Sequence, residues 1–378
     1  MMSGSRTSER ELGNRQPLRI LHVTECYEAG VGRAVNLASR AVDHAEHYLL
    51  ASGSEPDSRG NFSEVLPWGD GHPQRLRRLK EAVARLRPDL VHAHSSWAGM
   101  YARVLPLPIP VVYQPHCFAF DDPYRGRWQR MLFHGAEKLL SRRSPTVIVL
   151  SEHEKALALS LRRDWDVVHV PNVASVQPSQ EVRGTGVPAP AGEAAVRLPT
   201  VAMAGRISRQ KAPEFFAEVA RGAARAGCPW RFVWIGDGEQ RDRDLLVGSG
   251  VHVTGWLGDE GMSAWLARTS VYFHSAAYEG FPLSVLDAAS HGIPVLARDI
   301  PCFAGTGIAT VTTPDEALAE IGRALTSRRR EADLRATSRR LTASMSFNAH
   351  GTALARAYES AVSGRRTATI NNTQESLA

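Results

Sequence analysis

The chain has 378 residues, 43% of them hydrophobic and 22% charged, which is typical of a globular protein and long enough for two domains with full cores. Its net charge of +6 comes largely from arginine. No nucleic-acid module is recognisable and no aromatic residues interleave with the basic runs, so we expect no nucleic-acid partner.

No apolar run reaches the roughly 18 residues that span a membrane, and residues 1–16 are polar, unlike a secretory signal. The 4 cysteines lack CxxC spacing. This pattern argues against zinc or a disulfide framework and favours a cytoplasmic setting.

Strand-like runs alternate with helical patterns along the chain, which predicts parallel sheets covered by helices. In the first half the predicted strands are Leu18–Thr24, His47–Ala51, Asp89–Ser95, Pro110–Gln114, Thr146–Leu150 and Val167–Val170. The predicted helices between them are Arg33–Val42, Pro73–Leu86, Arg127–Arg142 and Glu152–Leu161. Residues 177–198 are rich in Pro, Gly and Ala without a hydrophobic period, and we interpret them as a linker.

A second alternating set follows the predicted linker. Its predicted strands are Thr200–Ala204, Arg231–Ile235, His252–Thr254, Val271–His274 and Pro294–Ala297, with helices that include Pro213–Ala226, Met262–Ala267 and Phe347–Ala361. We therefore predict domains over residues 17–176 and 199–345, a last helix over 346–362, and disordered tails over 1–16 and 363–378. Ligands of doubly wound domains bind outside the carboxyl ends of the strands, which indicates a cleft between the two domains.

The most informative segment runs from Tyr278 to Ala297 and combines two acids with a helix start. Glu279 lies in a Gly/Pro turn, Pro282 suits the first turn of a helix, and Asp287 follows Glu279 by eight positions. A helix N-terminus is a natural seat for phosphate, and nearby carboxylates can accept hydrogen bonds from sugar hydroxyls. The segment therefore indicates recognition of a sugar nucleotide.

A basic loop follows the first strand of the second half. Gly205 allows close backbone approach, and Arg206 and Lys211 supply two cations before a helix. This arrangement fits a diphosphate. The alternative, a surface turn with solvated charges, is equally good for the loop alone, but the acidic segment favours the diphosphate.

Together these motifs resemble those of retaining glycosyltransferases of family 4. That family has a Gly-Arg…Lys loop, a strand ending in Gly-Asp-Gly, and a Glu followed by seven residues and a second Glu. The corresponding segments here are Gly205-Arg206…Lys211, Ile235-Gly-Asp-Gly238 and Glu279…Asp287, and in the first half Glu25–Arg33, Val91–Ser95, Gln114–Phe118 and Val170–Asn172. The resemblance extends from Leu18 to Ala361.

The resemblance implies a GT-B fold, in which two Rossmann-like α/β domains face each other across a cleft, with the acceptor on the first and the donor on the second. Arg206 and Lys211 would hold the donor's diphosphate, Glu279 the sugar and Asp287 the ribose. Asp287 departs from the family, which has Glu there. The implied donor-binding residues are Gly30, Gly32, Gly205, Arg206, Lys211, Glu279, Gly280, Phe281, Pro282, Leu283 and Asp287, and the implied catalytic residues are His116, Glu279, Arg206 and Lys211.

The implied reaction transfers a sugar from a UDP-sugar or GDP-sugar to an acceptor hydroxyl with retention of configuration and without a metal or other cofactor. The resemblance is consistent with a lipid-linked acceptor in surface polysaccharide synthesis. The basic, partly apolar stretch 125–134 would border the cleft and suits contact with the acceptor or with the inner face of a membrane. The last helix would return to the first domain, anchored by Phe347 and Tyr358.

Other interpretations remain open at this stage. His92 and His94 share a strand face, as metal ligands do, but no third ligand is spaced to join them. The glycines at 30 and 32 do not form a complete dinucleotide fingerprint, because Val35 stands at the position of the third glycine. A non-catalytic sugar-nucleotide-binding partner in a glycan assembly complex is the alternative from another class, and a nucleotide-sugar epimerase is the alternative enzyme.

Overall fold

The computed structural model describes residues 17–53, 60–178 and 198–375, with side chains up to residue 364. The predicted tail over 1–16 and most of the predicted linker lie outside the described residues. The first domain consists of β1 (Arg19–Thr24), α1 (Ala29–Ala41), β2 (Glu46–Ala51), β3 (Glu64–Pro67), α2 (His72–Leu86), β4 (Leu90–His94), α3 (Ser96–Val104), β5 (Val111–Gln114), α4 (Arg127–Leu140), β6 (Thr146–Val149), α5 (Glu152–Leu161) and β7 (Asp166–His169).

The second half begins after the predicted linker. Its elements are β8 (Thr200–Ala204), α6 (Pro213–Arg225), β9 (Arg231–Ile235), α7 (Gln240–Val247), β10 (Val251–Val253), α8 (Asp259–Leu266), β11 (Val271–His274), α9 (Leu283–Ser290), β12 (Val295–Arg298), β13 (Ala309–Val311), α10 (Pro314–Thr326), α11 (Arg328–Ser344) and α12 (Phe347–Glu375).

Each half forms a parallel sheet with helices between its strands. The first sheet has 7 strands in the order β3-β2-β1-β4-β5-β6-β7, and the second has 6 in the order β10-β9-β8-β11-β12-β13. The strand order reverses next to β1 in the first sheet and next to β8 in the second, so the loops after these strands open at the switch points where doubly wound folds bind ligands. The predicted fold class, two Rossmann-like α/β domains, is confirmed.

The inner strands of both sheets are mostly apolar because helices cover both faces of each sheet. β8 reads Thr-Val-Ala-Met-Ala and β11 reads Val-Tyr-Phe-His, and every residue of both is buried. Aromatic side chains fill the space between the second sheet and its helices, where Phe216 contacts Trp234 edge to face at 5.5 Å between ring centroids. These rigid layers hold the loops at the strand ends.

The last helix packs against the first sheet. Leu354 and Tyr358 are buried in a cluster with Ile20 and Val112, and the Tyr358 hydroxyl is 2.8 Å from Nδ1 of His92. One expectation for this segment is wrong, because Phe347 is 45% exposed and is not an anchor. The helix extends to Glu375, beyond the predicted helix end at residue 362, and disorder of the tail stays a prediction.

The other differences from the sequence prediction are elements whose sequence patterns are weak. β3, β13, α3, α7, α10 and α11 were not predicted from the sequence. α1 begins at Ala29, so Gly30 and Gly32 lie in a helix and not in a loop before it. Glycine disfavours a helix by about 1 kcal/mol, a preference that tertiary packing readily overrides. Among the described helices, none combines the length and the apolar character needed to cross a bilayer.

Candidate active site

An ion pair joins the two predicted donor loops. Nζ of Lys211, before α6, contacts Oε1 of Glu279, which lies between β11 and α9. Nε2 of Gln210 donates to the other oxygen of Glu279 at 3.1 Å, and Nε2 of His274 lies 3.4 Å from Oε1. Lys211 and Glu279, both predicted to bind the donor, are in direct contact.

Burial and charge compete at Glu279. Desolvation would raise the pKa of this carboxyl, but the Lys211 ammonium and the His274 ring outweigh it and hold the pKa below its usual value. Burial also lowers the pKa of His274. The site therefore presents an ionised carboxylate with a cation beside it.

Glycines allow the loops around this pair to approach closely. Gly205 has a φ of +141°, and a Cβ there would lie 3.1 Å from Cε of Lys211. A Cβ at Gly238 would lie 2.1 Å from the carbonyl oxygen of Ile207, so only glycine fits there. The Gly-Asp-Gly segment therefore packs directly against the backbone of the Gly205–Lys211 loop.

Arg206 points away from the Lys211 pair and toward the first domain. Its Nη2 is 3.4 Å from Oε2 of Glu28, and both side chains are 46% exposed. Glu28 immediately precedes α1, whose first turn contains Gly30 and Gly32. Gly30 has open space around its Cα, which fits the predicted approach of a ligand. The predicted phosphate-binding groups of the two domains therefore face each other.

His116 lies at the boundary between the domains with a strained backbone. Its φ is +60°, an uncommon value for a residue with a side chain. Its ring is half-buried, and desolvation lowers its pKa to about 4. A Cβ at Gly280 would come within 2.2 Å of the His116 carbonyl oxygen, so the predicted catalytic histidine touches the predicted donor loop.

The segment 280–283, predicted to bind the donor, has no exposed side chain. Gly280, Phe281, Pro282 and Leu283 are all buried. Pro282 caps α9, whose helical residues begin at Leu283, one position later than the sequence suggested. The N–H of Val285 bonds to the Pro282 carbonyl at 3.3 Å, and the N–H groups at a helix start are of the kind that bind anions.

Asp287 has a different environment from the one its predicted role requires. Its side chain is 1% exposed, and Oδ1 accepts hydrogen bonds from the backbone N–H of Ser175 at 2.6 Å and of Val176 at 2.9 Å. The Ser175 hydroxyl lies 3.1 Å from both oxygens. Burial raises the pKa of Asp287 to about 6. Ribose binding stays a prediction, while the structure shows Asp287 holding the segment that leaves the first domain.

Several residues between the domains were missed by sequence reasoning. Arg33 pairs with Asp259 of the second domain at 2.8 Å. The guanidinium of Arg209 lies 4.1 Å from the ring centroid of Tyr124, in the loop 118–126 that follows His116. Asn172 donates to the Phe281 carbonyl at 2.7 Å. No local pattern marks such contacts, because their partners are far apart in sequence.

A buried group of histidines lies behind His116. Ring nitrogens of His22, His92 and His94 lie within 4.8 Å of one another. The expectation that no third residue joins His92 and His94 is therefore wrong, because β1 pairs with β4 and places His22 opposite His92. These three rings have the spacing of metal ligands, but their existing contacts favour hydrogen bonds, since His22 lies 3.1 Å from His94 and His92 lies 2.8 Å from the Tyr358 hydroxyl.

Two family models match this chain. The Glycosyl transferase 4-like domain matches residues 30–173, and Glycosyl transferases group 1 matches residues 198–327. The chain is 23% identical over 316 residues to alpha-D-kanosaminyltransferase of Streptomyces kanamyceticus, which covers 77% of this chain and 79% of that protein.

A second relative and a solved structure add to this likeness. The chain is 26% identical over 243 residues to the Escherichia coli UDP-Gal:alpha-D-GlcNAc-diphosphoundecaprenol alpha-1,3-galactosyltransferase, which covers 60% of this chain and 61% of that protein. The structure of Anabaena HepE in complex with UDP and glucose is 15% identical, with a TM-score of 0.70 over 91% of this chain and 100% of that chain. Since the two family models together match more than half of the residues, the chain belongs to the GT-B glycosyltransferases, with a 4-like domain followed by a group 1 domain.

Proposed function

We propose that this glycosyltransferase moves a sugar from a nucleoside-diphosphate sugar to an acceptor hydroxyl with retention of the anomeric configuration. The observation that carries the proposal is the contact between Lys211 and Glu279 ahead of α9, with His116 beside the same loop. One cation, one carboxylate and one helix N-terminus supply the groups that a diphosphate and a sugar need.

The leaving diphosphate would be stabilised by fixed charges of the chain. Lys211 is 16% exposed and held by Glu279, so its ammonium is pre-positioned, and Arg206 approaches from the exposed side. Preorganised cations and N–H groups stabilise developing negative charge without reorganising during the reaction. We therefore propose that transfer proceeds without a divalent metal.

The sugar would lie between Glu279 and His116. Glu279 stays ionised and can accept hydrogen bonds from sugar hydroxyls, but its pairing with Lys211 makes it a poor base. We propose that the leaving phosphate takes the proton of the acceptor hydroxyl on the face it departs from, which would retain the configuration.

A thermal-shift and turnover screen of UDP- and GDP-sugars tests this function. Lys211→Met should abolish the stabilisation that the best donor gives to the parent protein. Lys80→Met, at an exposed lysine of α2, is the matched control and should leave it unchanged. A donor that binds but is never transferred to any acceptor would instead favour the non-catalytic partner.

Retention and metal independence need separate measurements. With an α-linked donor, NMR of the product should show an α-linkage, and a β-linkage would contradict retention. Treatment with EDTA should leave turnover unchanged, and restoration by an added divalent cation would overturn the metal-independent mechanism.

The acceptor proposal rests on α4. Its outer face carries Trp128, Met131, Leu132 and Leu139 at 81, 56, 72 and 65% exposure, spaced as one stripe of a helix. Exposed basic residues flank the stripe, namely Arg127, Lys138, Arg142 and Arg143. An exposed apolar stripe with basic edges complements an anionic bilayer. We propose that α4 lies on such a membrane and that the acceptor is lipid-linked.

Vesicle sedimentation tests this surface. The parent protein should bind phosphatidylglycerol vesicles more tightly than phosphatidylcholine vesicles, and added salt should weaken the binding. Leu132→Glu should abolish binding, whereas Val65→Glu, at a residue of β3 that is 54% exposed, should not. Equal binding by the two variants would contradict a role for α4.

A further inference from the structure

We propose that a row of hydrogen-bonded histidines fixes the tautomer of His116, so that its Nδ1 is an acceptor facing the donor sugar. The inference rests on the proposed function and adds positioning residues to it. The row consists of His47, His22, His94 and His116, joined by contacts of 2.9, 3.1 and 3.1 Å.

A backbone carbonyl at the far end sets the direction of the row. Nε2 of His47 lies 2.8 Å from the carbonyl oxygen of Val42. A carbonyl can only accept a hydrogen bond, so Nε2 of His47 must carry the proton. In a neutral ring the other nitrogen is then an acceptor, and Nδ1 of His47 accepts from Nε2 of His22.

His22 and His94 are likewise protonated on Nε2 and accept a hydrogen bond at Nδ1. With its proton on Nε2, His22 offers a lone pair at Nδ1, which accepts from Nε2 of His94. The lone pair at Nδ1 of His94 in turn accepts from Nε2 of His116. Nδ1 of His116 is left without a proton, and no other described residue hydrogen-bonds to it.

Each ring of the row is neutral because it is desolvated by burial. His22 and His94 are fully buried, and desolvation with neighbouring histidines lowers the pKa of both well below the ordinary value. Desolvation also lowers the pKa of His47, and that of His116 to about 4. At neutral pH each ring therefore has one donor and one acceptor.

A neutral acceptor suits the proposed reaction. A sugar hydroxyl can donate its hydrogen to an unprotonated Nδ1 of His116. A protonated Nδ1 would itself be a donor and could not accept that hydrogen. The row also restrains rotation of the ring, which holds the acceptor in one direction. His116 would contact the substrate, and His47, His22 and His94 would act through it as positioning residues.

A bound metal would reverse the hydrogen bond between His94 and His116. If a metal occupied Nδ1 of His22 and Nε2 of His94, His94 would carry its proton on Nδ1 and donate to His116. Nδ1 of His116 would then be a donor. The two arrangements thus predict opposite tautomers at the site, and one spectrum distinguishes them.

The first test is ¹⁵N NMR of the full-length protein labelled at histidine, with His116→Asn used to assign the His116 signals. We expect the shift of an unprotonated nitrogen at Nδ1 and of a protonated one at Nε2. A protonated Nδ1, or one equivalent of metal in the purified protein, would overturn the proposal. This readout needs no substrate, so it stays valid if the proposed reaction is wrong.

The second test changes the far end of the row. In His47→Gln the amide N–H can donate to Val42 while the amide oxygen accepts from His22, so the direction is kept. In His47→Leu the direction of the hydrogen bonds is no longer fixed, and His116 should show both tautomers. We expect kcat/KM to fall about two- to tenfold, which corresponds to the free energy of one neutral hydrogen bond.

Matched controls separate this effect from loss of packing. His47→Gln should retain both the parent tautomer and the parent kcat/KM. His92→Phe removes an equally buried histidine of β4 that lies outside the row, and it should leave the His116 spectrum unchanged. An unchanged His116 tautomer in His47→Leu would contradict the proposal.

Discussion

Gly280 lies directly against the backbone of His116, and a Cβ at position 280 would come within 2.2 Å of the His116 carbonyl oxygen. The same Cβ would lie 3.0 Å from Oε1 of the buried Glu154. The donor loop and the strained histidine loop therefore fit together only because residue 280 has no side chain. This contact joins the two domains at the point where the sugar is proposed to lie.

Gly280→Ala should force these two loops apart. Since backbone atoms cannot yield as a flexible side chain can, we expect kcat to fall by about 100-fold, as for other misplacements near 1 Å. Steady-state kinetics with the donor identified by screening would measure it. Gly364→Ala, at an exposed helical glycine with nothing within 4 Å, is the control and should match the parent protein. Parent-like kcat in Gly280→Ala would show that the contact is not needed.

The sequence predicted the two sheets and the Lys211–Glu279 site because both depend on local patterns. Apolar runs mark the strands, and strand ends bring the loops of neighbouring strands together whatever lies between them. The partners of Asp287 could not be predicted in this way, since Ser175 and Val176 reach it across 112 and 111 positions of sequence. The histidine row has the same origin, because the pairing of β1 with β2 and β4 brings His22 to His47 and His94.

We expect Glu28 to compete with the donor for Arg206, because the two side chains form an ion pair. The pair is 3.4 Å apart with both side chains 46% exposed, so solvent screens it and it contributes at most about 1 kcal/mol. Glu28→Gln should therefore tighten donor binding by no more than about fivefold. Titration calorimetry would measure the change, and Arg206→Ala should weaken binding in the same assay. Tighter binding in both variants would contradict the assignment of Arg206 to the diphosphate.

Asp287→Ala should destabilise the protein more than it weakens donor binding. The change leaves the N–H groups of Ser175 and Val176 without their acceptor, which costs about 1–3 kcal/mol of unfolding free energy for each buried group left unpaired. Urea denaturation measures the loss, with Asp299→Ala at an exposed aspartate as the control. Donor affinity should stay within about threefold, the effect of a fraction of one hydrogen bond. A much larger loss of affinity with unchanged stability would instead support direct ribose contact.

Stability should decrease as the pH falls below about 6.5, because several buried histidines are neutral in the native state and charged in the unfolded chain. Burial lowers the pKa of His22, His92 and His94 in the native state, so the unfolded state binds more protons in this range. Each such histidine adds a slope of about 1.4 kcal/mol per pH unit. Urea denaturation at several pH values between 8 and 5 would give the total slope.

Glu154 affects the pH dependence of stability with the opposite sign to the histidines, so a substitution at Glu154 can separate the two contributions. Burial raises its pKa to about 7, so between pH 7 and its unfolded value the native state binds a proton that the unfolded state lacks. Its stabilising contribution is present at low pH and is lost as the pH rises through 7. Glu154→Gln keeps an acceptor for the N–H of Leu150 and removes this term. The variant should be more stable than the parent at pH 8 and lose stability more steeply on acidification, by about 1.4 kcal/mol per pH unit. Parallel pH profiles for the two proteins would show that Glu154 titrates normally.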